Sequence, residues 1–478
     1  MNYRMILHIL GHVLILEAAC MLLPLACAVI YGETAVWTFL SCIILCFACG
    51  GLFSALPVKN HNIYAKEGLV VVSMSWIFIS VFGALPFNFS GVIPNYIDAL
   101  FETVSGFTTT GSSILTNVET LPKSMLFWRS FTHWIGGMGV LVFLMSLVKL
   151  SGGNNIYLLK AESTGPAVGK IVPKIKSSTK ILYAMYSVMT IIEILLLLVG
   201  GMKPFDAITI SFGTAGTGGF AILNSSLADY TSYQQTVVTV FMLLFGVDFS
   251  LYYLLLIGKP RDFFRSEELR AYLGIVFLTI LLIWLNISGL YDTVWTALKH
   301  SAFQVASIIT TTGYATANFD LWPELSKVIL VVLMFIGACA GSTGGGIKVC
   351  RIMILFKTII KELKVTVHPK STQKVTMNGR IVEHEIIRTV NVYMAAYLMI
   401  YVFAMLIISL DNFDFTTNFT AVAATLNNIG PGLSVVGPIG NFSGYSNLSK
   451  AVFCLCMLIG RLEVFPMLIL FSPYTWKK

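Results

Sequence analysis

The chain has 478 residues, of which 56% are hydrophobic and 11% charged, with a mean hydropathy of +0.82. A water-soluble fold of this size has no core large enough to hide that much apolar surface, so the composition specifies an all-α polytopic membrane protein. The formal net charge of +8 would suit a nucleic-acid partner in another chain, but its distribution here has a simpler explanation, given below.

Runs of about 20 apolar residues, long enough for a ~30 Å hydrocarbon core, fall near 5–30, 36–56, 69–87, 124–148, 180–201, 235–257, 271–289, 326–357, 388–410 and 448–472. The first two form a leading pair, 1–60. The lead Met1-Asn2-Tyr3-Arg4 has no small-residue cleavage site after it, so the first run is expected as a retained helix rather than a signal peptide. The nine cysteines lie in or beside apolar runs, Cys46 and Cys49 included. They are expected to pack as small apolar residues, with no disulfide framework.

From residue 61 onward one pattern recurs four times, over 61–150, 151–258, 259–358 and 359–478. A span leads to an outer turn with an acid (Asp98, Asp206, Asp292, Asp414), then to a run of about 10 to 17 semi-apolar residues, a polar hexapeptide and a second span. Such a run is too short to cross a bilayer and fits a re-entrant half-helix. The hexapeptides are TTTGSS (Thr108 to Ser113), AGTGGF (Ala215 to Phe220), TTTGYA (Thr310 to Ala315) and NNIGPG (Asn427 to Gly432). They align on Gly111, Gly218, Gly313 and Gly430, spaced by 107, 95 and 117 residues. A single polar loop would be unremarked; four in register after a half-length run point to one repeated device.

An ion crossing a membrane must exchange its hydration shell for protein oxygens, and rows of backbone carbonyls can supply them. Glycine permits the backbone angles such a row needs. The C-terminal end of each half-helix adds partial negative charge, so four around one axis favour a cation.

The run 326–357 is too long for one span and contains Gly341-Ser342-Thr343-Gly344-Gly345-Gly346. Glycines at about 1 kcal/mol each against alanine break a helix, and a break at membrane depth survives only inside protein or beside a wet cavity. A phosphate-binding loop is excluded, because Ile347 stands where that pattern needs lysine and no strand precedes it. Charge gives orientation: the N-terminus and the connections 57–68, 149–180, 258–270, 351–388 and 473–478 carry 23 of the 31 Lys and Arg but 8 of the 23 acids. By the positive-inside rule that side is cytoplasmic, which accounts for the net charge.

The repeated plan, together with FWRSFTHWIGGMGVLVF (Phe127 to Phe143), GACAGSTGGGIKV (Gly337 to Val349) and GRLEVFPMLIL (Gly460 to Leu470), resembles the Trk/Ktr superfamily of potassium transporters, with the leading pair pointing to the TrkH-type membrane subunit. The resemblance implies potassium uptake down the electrochemical gradient through one pore per chain, with no reaction catalysed and no cofactor beyond K⁺ as the transported ion. It assigns Gly111, Gly218, Gly313 and Gly430 to a selectivity filter, lined by Thr109, Thr110, Gly216, Thr217, Thr311, Thr312, Asn428 and Ile429. Ile429 offers no hydroxyl and Pro431 follows the glycine, so the filter is expected to be asymmetric. A sodium-coupled or weakly selective monovalent cation transporter is the alternative.

The same resemblance makes Gly341, Ser342, Thr343, Gly344, Gly345 and Gly346 a gate beneath the filter, with Arg461 as a pore arginine and Lys348 adjoining the loop. A charge such as Arg461 deep in a span is a functional candidate by itself, and Glu463, two residues on, does not share its helix face. Lys348 also reads as a cytoplasmic-end anchor. Glu17 and Glu193 are expected as packing or interfacial groups and His133 as a packed ring; Asp248 has no assigned role. As partners the resemblance implies a second copy of the chain, the lipid bilayer and a cytosolic TrkA-type ring binding ATP/ADP or NAD; the basic connections 149–180 and 351–388 read as its docking surfaces or, equally, as membrane-surface anchors. It excludes nucleic acid. It places the protein in the inner (plasma) membrane with both termini cytoplasmic.

Overall fold

The computed structural model describes residues 1–58, 64–139, 175–370 and 372–476, with backbone alone for 175–179. Apart from one two-stranded hairpin, the regular structure among these residues is helical. Among the described residues six helices are long and apolar enough to cross a membrane: Tyr3–Ile30, Ala35–Ser54, Ala65–Phe89, Lys180–Val199, Glu267–Leu290 and His384–Asp411.

The leading helix, Tyr3–Cys20, packs on Ala35–Ser54 by backbone approach. A Cβ on Gly11 would lie 2.7 Å from the Gly50 carbonyl oxygen, and one on Gly50 would lie 2.8 Å from that of Gly11. Small residues allow helices in lipid this contact, where no hydrophobic drive separates protein from solvent. Glu17 and Glu193 are buried in the protein rather than interfacial.

Four half-length helices follow first spans: Tyr96–Phe107, Pro204–Gly216, Val294–Ile309 and Phe415–Leu426, of 12, 13, 16 and 12 residues. Acids start them. Asp414 caps the last by accepting from the Thr417 N–H at 3.1 Å, and Asp98, in the first turn of the first, pairs with Lys450 at 2.7 Å. Negative charge at a helix N-terminus complements its dipole.

Two of the second spans depart from the expectation of continuous helices, and a third is broken where its glycines predict. That at 235–257 bends by 91° between Ser232–Phe245 and Phe249–Leu256, where Asp248 caps the second piece by accepting from the Ser250 N–H at 2.8 Å. The 326–357 run is broken from Gly337 to Lys348, wider than the glycine run alone indicated, between Glu324–Ile336 and Val349–Val367. The 448–472 run stops at Arg461, and Glu463 and Val464 take φ of +60° and +69° before Phe465–Phe471 resumes. Of 124–148, the helix Lys123–Gly137 is described; residues 140–148 and the connection 149–174 lie outside the described residues. Apolar length reports burial in lipid but not backbone direction, so the breaks at Asp248 and after Arg461 lie hidden inside hydrophobic runs, whereas glycines mark the one in 326–357.

Candidate functional site

Each half-helix reverses at its end in the same way. Thr109, Thr217, Thr311 and Asn428 take φ of +54°, +54°, +59° and +56°, the left-handed region L-residues seldom enter. The next residue donates its N–H five residues back: Thr110 to Ser105 (2.9 Å), Gly218 to Gly213 (2.8 Å), Thr312 to Ser307 (2.8 Å) and Ile429 to Ala424 (2.9 Å). This is the bond that closes a helix with a left-handed cap. The residue after that is glycine in all four, with φ of +82° at Gly111, +78° at Gly219, +85° at Gly313 and +99° at Gly430.

The second copy is therefore shifted by one residue from the sequence alignment. Gly219, not Gly218, stands with the other glycines, and Gly218 stands with Thr110, Thr312 and Ile429. Two adjacent glycines hid the register; matching Thr217 to the middle threonines, Thr109 and Thr311, would have revealed it. Gly218 is small for another reason: a Cβ there would lie 2.2 Å from Cγ of the His133 ring. Gly216 ends its half-helix against His133 as well, a Cβ meeting the His133 carbonyl oxygen at 2.2 Å.

The four loops close into one ring. A Cβ on Gly111 would lie 2.1 Å from the Gly218 carbonyl oxygen, on Gly219 1.9 Å from that of Thr312, on Gly313 2.1 Å from that of Ile429, and on Gly430 2.8 Å from that of Thr110. Each glycine packs on a carbonyl of the next copy, and the fourth returns to the first. Beyond the ring lies a cavity of about 290 Å³ whose lining includes Gly111, Gly219, Gly313 and Gly430.

Side chains brace the ring from behind. His133 Nδ1 lies 2.7 Å from the Gly106 carbonyl oxygen, which can only accept, so Nδ1 carries the proton and Nε2 accepts from the Phe220 N–H at 3.2 Å. The expected packed ring is thus also a polar link between the first two copies. Glu102 accepts from Arg129 Nε at 2.6 Å, Ser113 Oγ at 3.0 Å and the Ile114 N–H at 3.1 Å. Arg129 also donates to the Ala221 carbonyl at 2.9 Å and lies 3.6 Å over the Phe220 ring. The fourth copy is tied to the first by Asn428, whose Nδ2 donates to Thr110 Oγ1 and to the Met457 carbonyl, both at 2.9 Å. Among the described residues no cluster of three or more His, Cys, Asp or Glu forms a metal site.

The glycine-rich break lies directly against the inner side of this ring. Gly345 N–H donates to Thr311 Oγ1 at 2.6 Å and Gly346 N–H to the Asn427 carbonyl at 3.1 Å. A Cβ on Gly344 would lie 2.9 Å from the Thr310 carbonyl oxygen, and one on Gly345 2.4 Å from that of Asn427. Thr343 Oγ1 donates to the Phe245 carbonyl at 3.2 Å, and Ser342 Oγ to that of Cys339 at 2.6 Å. Gly341, at φ +77°, abuts Asp248: a Cβ there would lie 2.5 Å from its Oδ1.

Arg461 fastens this loop. Its guanidinium donates to the Thr343 carbonyl at 2.8 Å and to those of Gly136 and Gly137 at 2.6 and 2.7 Å. Glu463 instead pairs with Arg351, whose guanidinium lies 4.1 Å over the Tyr393 ring. Lys348 is not a surface anchor: it is buried, at φ +79°, with Nζ donating back to the Gly344 carbonyl.

A family model described as "Cation transport protein", TrkH, matches residues 37–478. The chain is 36% identical to the Trk system potassium uptake protein TrkH of Salmonella typhimurium, covering 100% of both chains. It is 32% identical to TrkG of Escherichia coli, covering 100% of this chain and 99% of that one. The crystal structure of the potassium transporter TrkH from Vibrio parahaemolyticus superposes with a TM-score of 0.90 at 32% identity, over 100% of each chain. With its ring of half-helix ends and the loop packed beneath it, this chain belongs to the TrkH family.

Proposed function

We propose that this chain is a potassium-uptake subunit whose filter is the ring of Gly111, Gly219, Gly313 and Gly430, with the carbonyls of Thr110, Gly218, Thr312 and Ile429 beside them. The filter lining also takes in Thr109, Gly216, Thr217, Thr311, Thr312 and Asn428. The observation that carries this reading is the closure of four glycine–carbonyl contacts at the C-terminal ends of four half-helices, which puts partial negative charge and backbone oxygens around one axis. Four tandem repeats, 61–150, 151–258, 259–358 and 359–478, after the pair 1–60, supply that symmetry.

The loop Gly341–Gly346, with Lys348 and Arg461, acts as the gate. It occupies the inner side of the ring, and a positive charge there raises a barrier to cations. Conduction makes or breaks no covalent bond, so the chain works without enzymatic chemistry or a cofactor. It resides in the inner (plasma) membrane with both termini cytoplasmic, by the charge asymmetry of its connections. It assembles as a homodimer on a TrkA-type nucleotide-binding ring.

Rubidium and sodium flux into liposomes holding the purified chain tests the reading. Rubidium entry well above sodium supports a potassium filter; equal entry overturns it in favour of a weakly selective cation pathway. Asn428 and Ile429 favour that second reading, since they interrupt the threonines of the other copies.

A further inference from the structure

Two consecutive glutamates at the start of one span reach in different directions. Glu268 Oε1 accepts from the Ala340 N–H at 2.7 Å and from the Cys350 N–H at 3.1 Å. Ala340 lies within the broken segment and Cys350 at the start of the helix that follows it, so one oxygen bridges the break. Glu267 reaches the hairpin Thr376–Met377/Arg380–Ile381. It exchanges two bonds with Asn378, N–H to Asn378 Oδ1 at 2.8 Å and Asn378 N–H to Glu267 Oε1 at 2.9 Å. Lys357 pairs with Glu267 and donates to the Thr376 carbonyl at 2.8 Å.

The hairpin is tightly turned and packed. Asn378 and Gly379 have φ of +51° and +73°, the two left-handed residues of a tight Asn-Gly turn whose twist matches the strands. Its Val375, Met377 and Val382 are buried with Cys350, Ile354 and Val390, and Ala340 packs against that cluster. Hairpin and loop thus meet twice: through adjacent carboxylates on one helical turn, and through an apolar cluster containing both Ala340 and Cys350. Outward, Lys374, Arg380 and Ile381 are exposed.

We propose that the hairpin 375–382 is the input arm of the gate, and that Glu268 is the positioning residue through which displacement of the hairpin releases the loop beneath the ring. The face that receives the push is basic, so it fits an acidic surface on a cytoplasmic protein. This rests on the gate assignment above. Motion of a packed loop between two arrangements, rather than continuous bending, is what interior packing permits.

The test uses the full-length chain in liposomes with rubidium flux, on variants that keep the wild-type size-exclusion profile and melting temperature in detergent. Glu268→Ala is expected to raise flux about tenfold through loss of two buried charge-assisted bonds, with the rubidium-to-sodium ratio unchanged. Glu268→Gln, which keeps an acceptor oxygen, is expected to restore most of the closed state. Replacing Asn378-Gly379 by Ala-Ala should raise flux in the wild type and add nothing to Glu268→Ala, since both act on one linkage. Arg461→Ala serves as the control. If neither it nor Glu268→Ala changes flux, the gate assignment fails. If Arg461→Ala raises flux while Glu268→Ala does not, or if the hairpin and Glu268 effects simply add, the input arm is wrong and the gate stands.

Discussion

The ring and the loop beneath it are both built on glycine, but they are held by different forces. In the ring each glycine lies on a neighbour's carbonyl, so backbone meets backbone four times around a closed circuit that side chains brace from behind. The loop from Gly337 to Lys348 also meets backbone, Gly346 N–H on the Asn427 carbonyl among it, but side chains from other helices add separate tethers: Arg461 on the Thr343 carbonyl, Glu268 on the Ala340 and Cys350 N–H groups, Asp248 against Gly341. Backbone closure cannot be undone without disturbing all four copies, whereas side-chain tethers release one at a time. That contrast suits the roles proposed for them, a filter that must not deform and a barrier that must.

The largest test of this contrast strikes the circuit. Gly313→Ser places a side chain at φ +85°, against a carbonyl 2.1 Å from the would-be Cβ. The left-handed backbone alone costs about 1–2 kcal/mol, and the overlap must be relieved by the ring. Rubidium-over-sodium preference is expected to collapse, measured as paired fluxes in liposomes; an unchanged ratio would show that the ring does not discriminate between ions.

Arg461→Ala comes next and acts on the tethers. Of the three hydrogen bonds lost, the one to the Thr343 carbonyl ties the loop to the helix Lys123–Gly137, which takes the other two, and at about 1.5–3 kcal/mol for a charged hydrogen bond its loss loosens the closed loop. Flux rises at least tenfold with selectivity retained. A rise accompanied by lost selectivity would mean that ring and loop are not separable.

A pair of substitutions sharpens the register. Gly218→Ala meets the His133 ring, while Gly219→Ala meets the Thr312 carbonyl. In a His133→Ala background, adding Gly218→Ala should therefore cost little further flux, and adding Gly219→Ala should cost as much as it does alone. The opposite pattern would restore Gly218 to the ring. The smallest effect is expected from Asn428→Thr, which gives the fourth copy the residue type of Thr109, Thr217 and Thr311 and removes about 1 kcal/mol of hydrogen bonding to Thr110 and Met457. A modest gain in rubidium preference, read from competition with sodium, is the outcome that supports an asymmetric filter.

Much of the fold could be read from the chain because lipid imposes coarse rules. Apolar length marked the full spans, and the half-helices betrayed themselves by being too short for a bilayer yet too apolar for a loop. The glycines showed because their positions recur. Contacts between distant segments were not legible. Glu102 and Glu268 are polar residues whose partners, Arg129 and the Ala340 N–H, lie 27 and 72 positions away, and no periodicity links them. The bend at Asp248 was missed because its surroundings are apolar, although an aspartate beside Gly246 in a span was a sign that a new helix began there. Arg461 was found by cost alone, since a buried cation always needs acceptors; which carbonyls supplied them was a matter of three-dimensional placement.

Because the ring is made from one polypeptide, its quarters are inherited separately. In an assembly of four identical chains a single codon change is written four times around the axis, and a tolerable half-measure does not exist. Here a change at Asn428 or Ile429 alters one quadrant and leaves Thr109 to Gly111, Thr217 to Gly219 and Thr311 to Gly313 as they were. A chain of this design can drift in one quadrant at a time, and if the ring is the filter proposed above, its ion preference is open to gradual adjustment by selection.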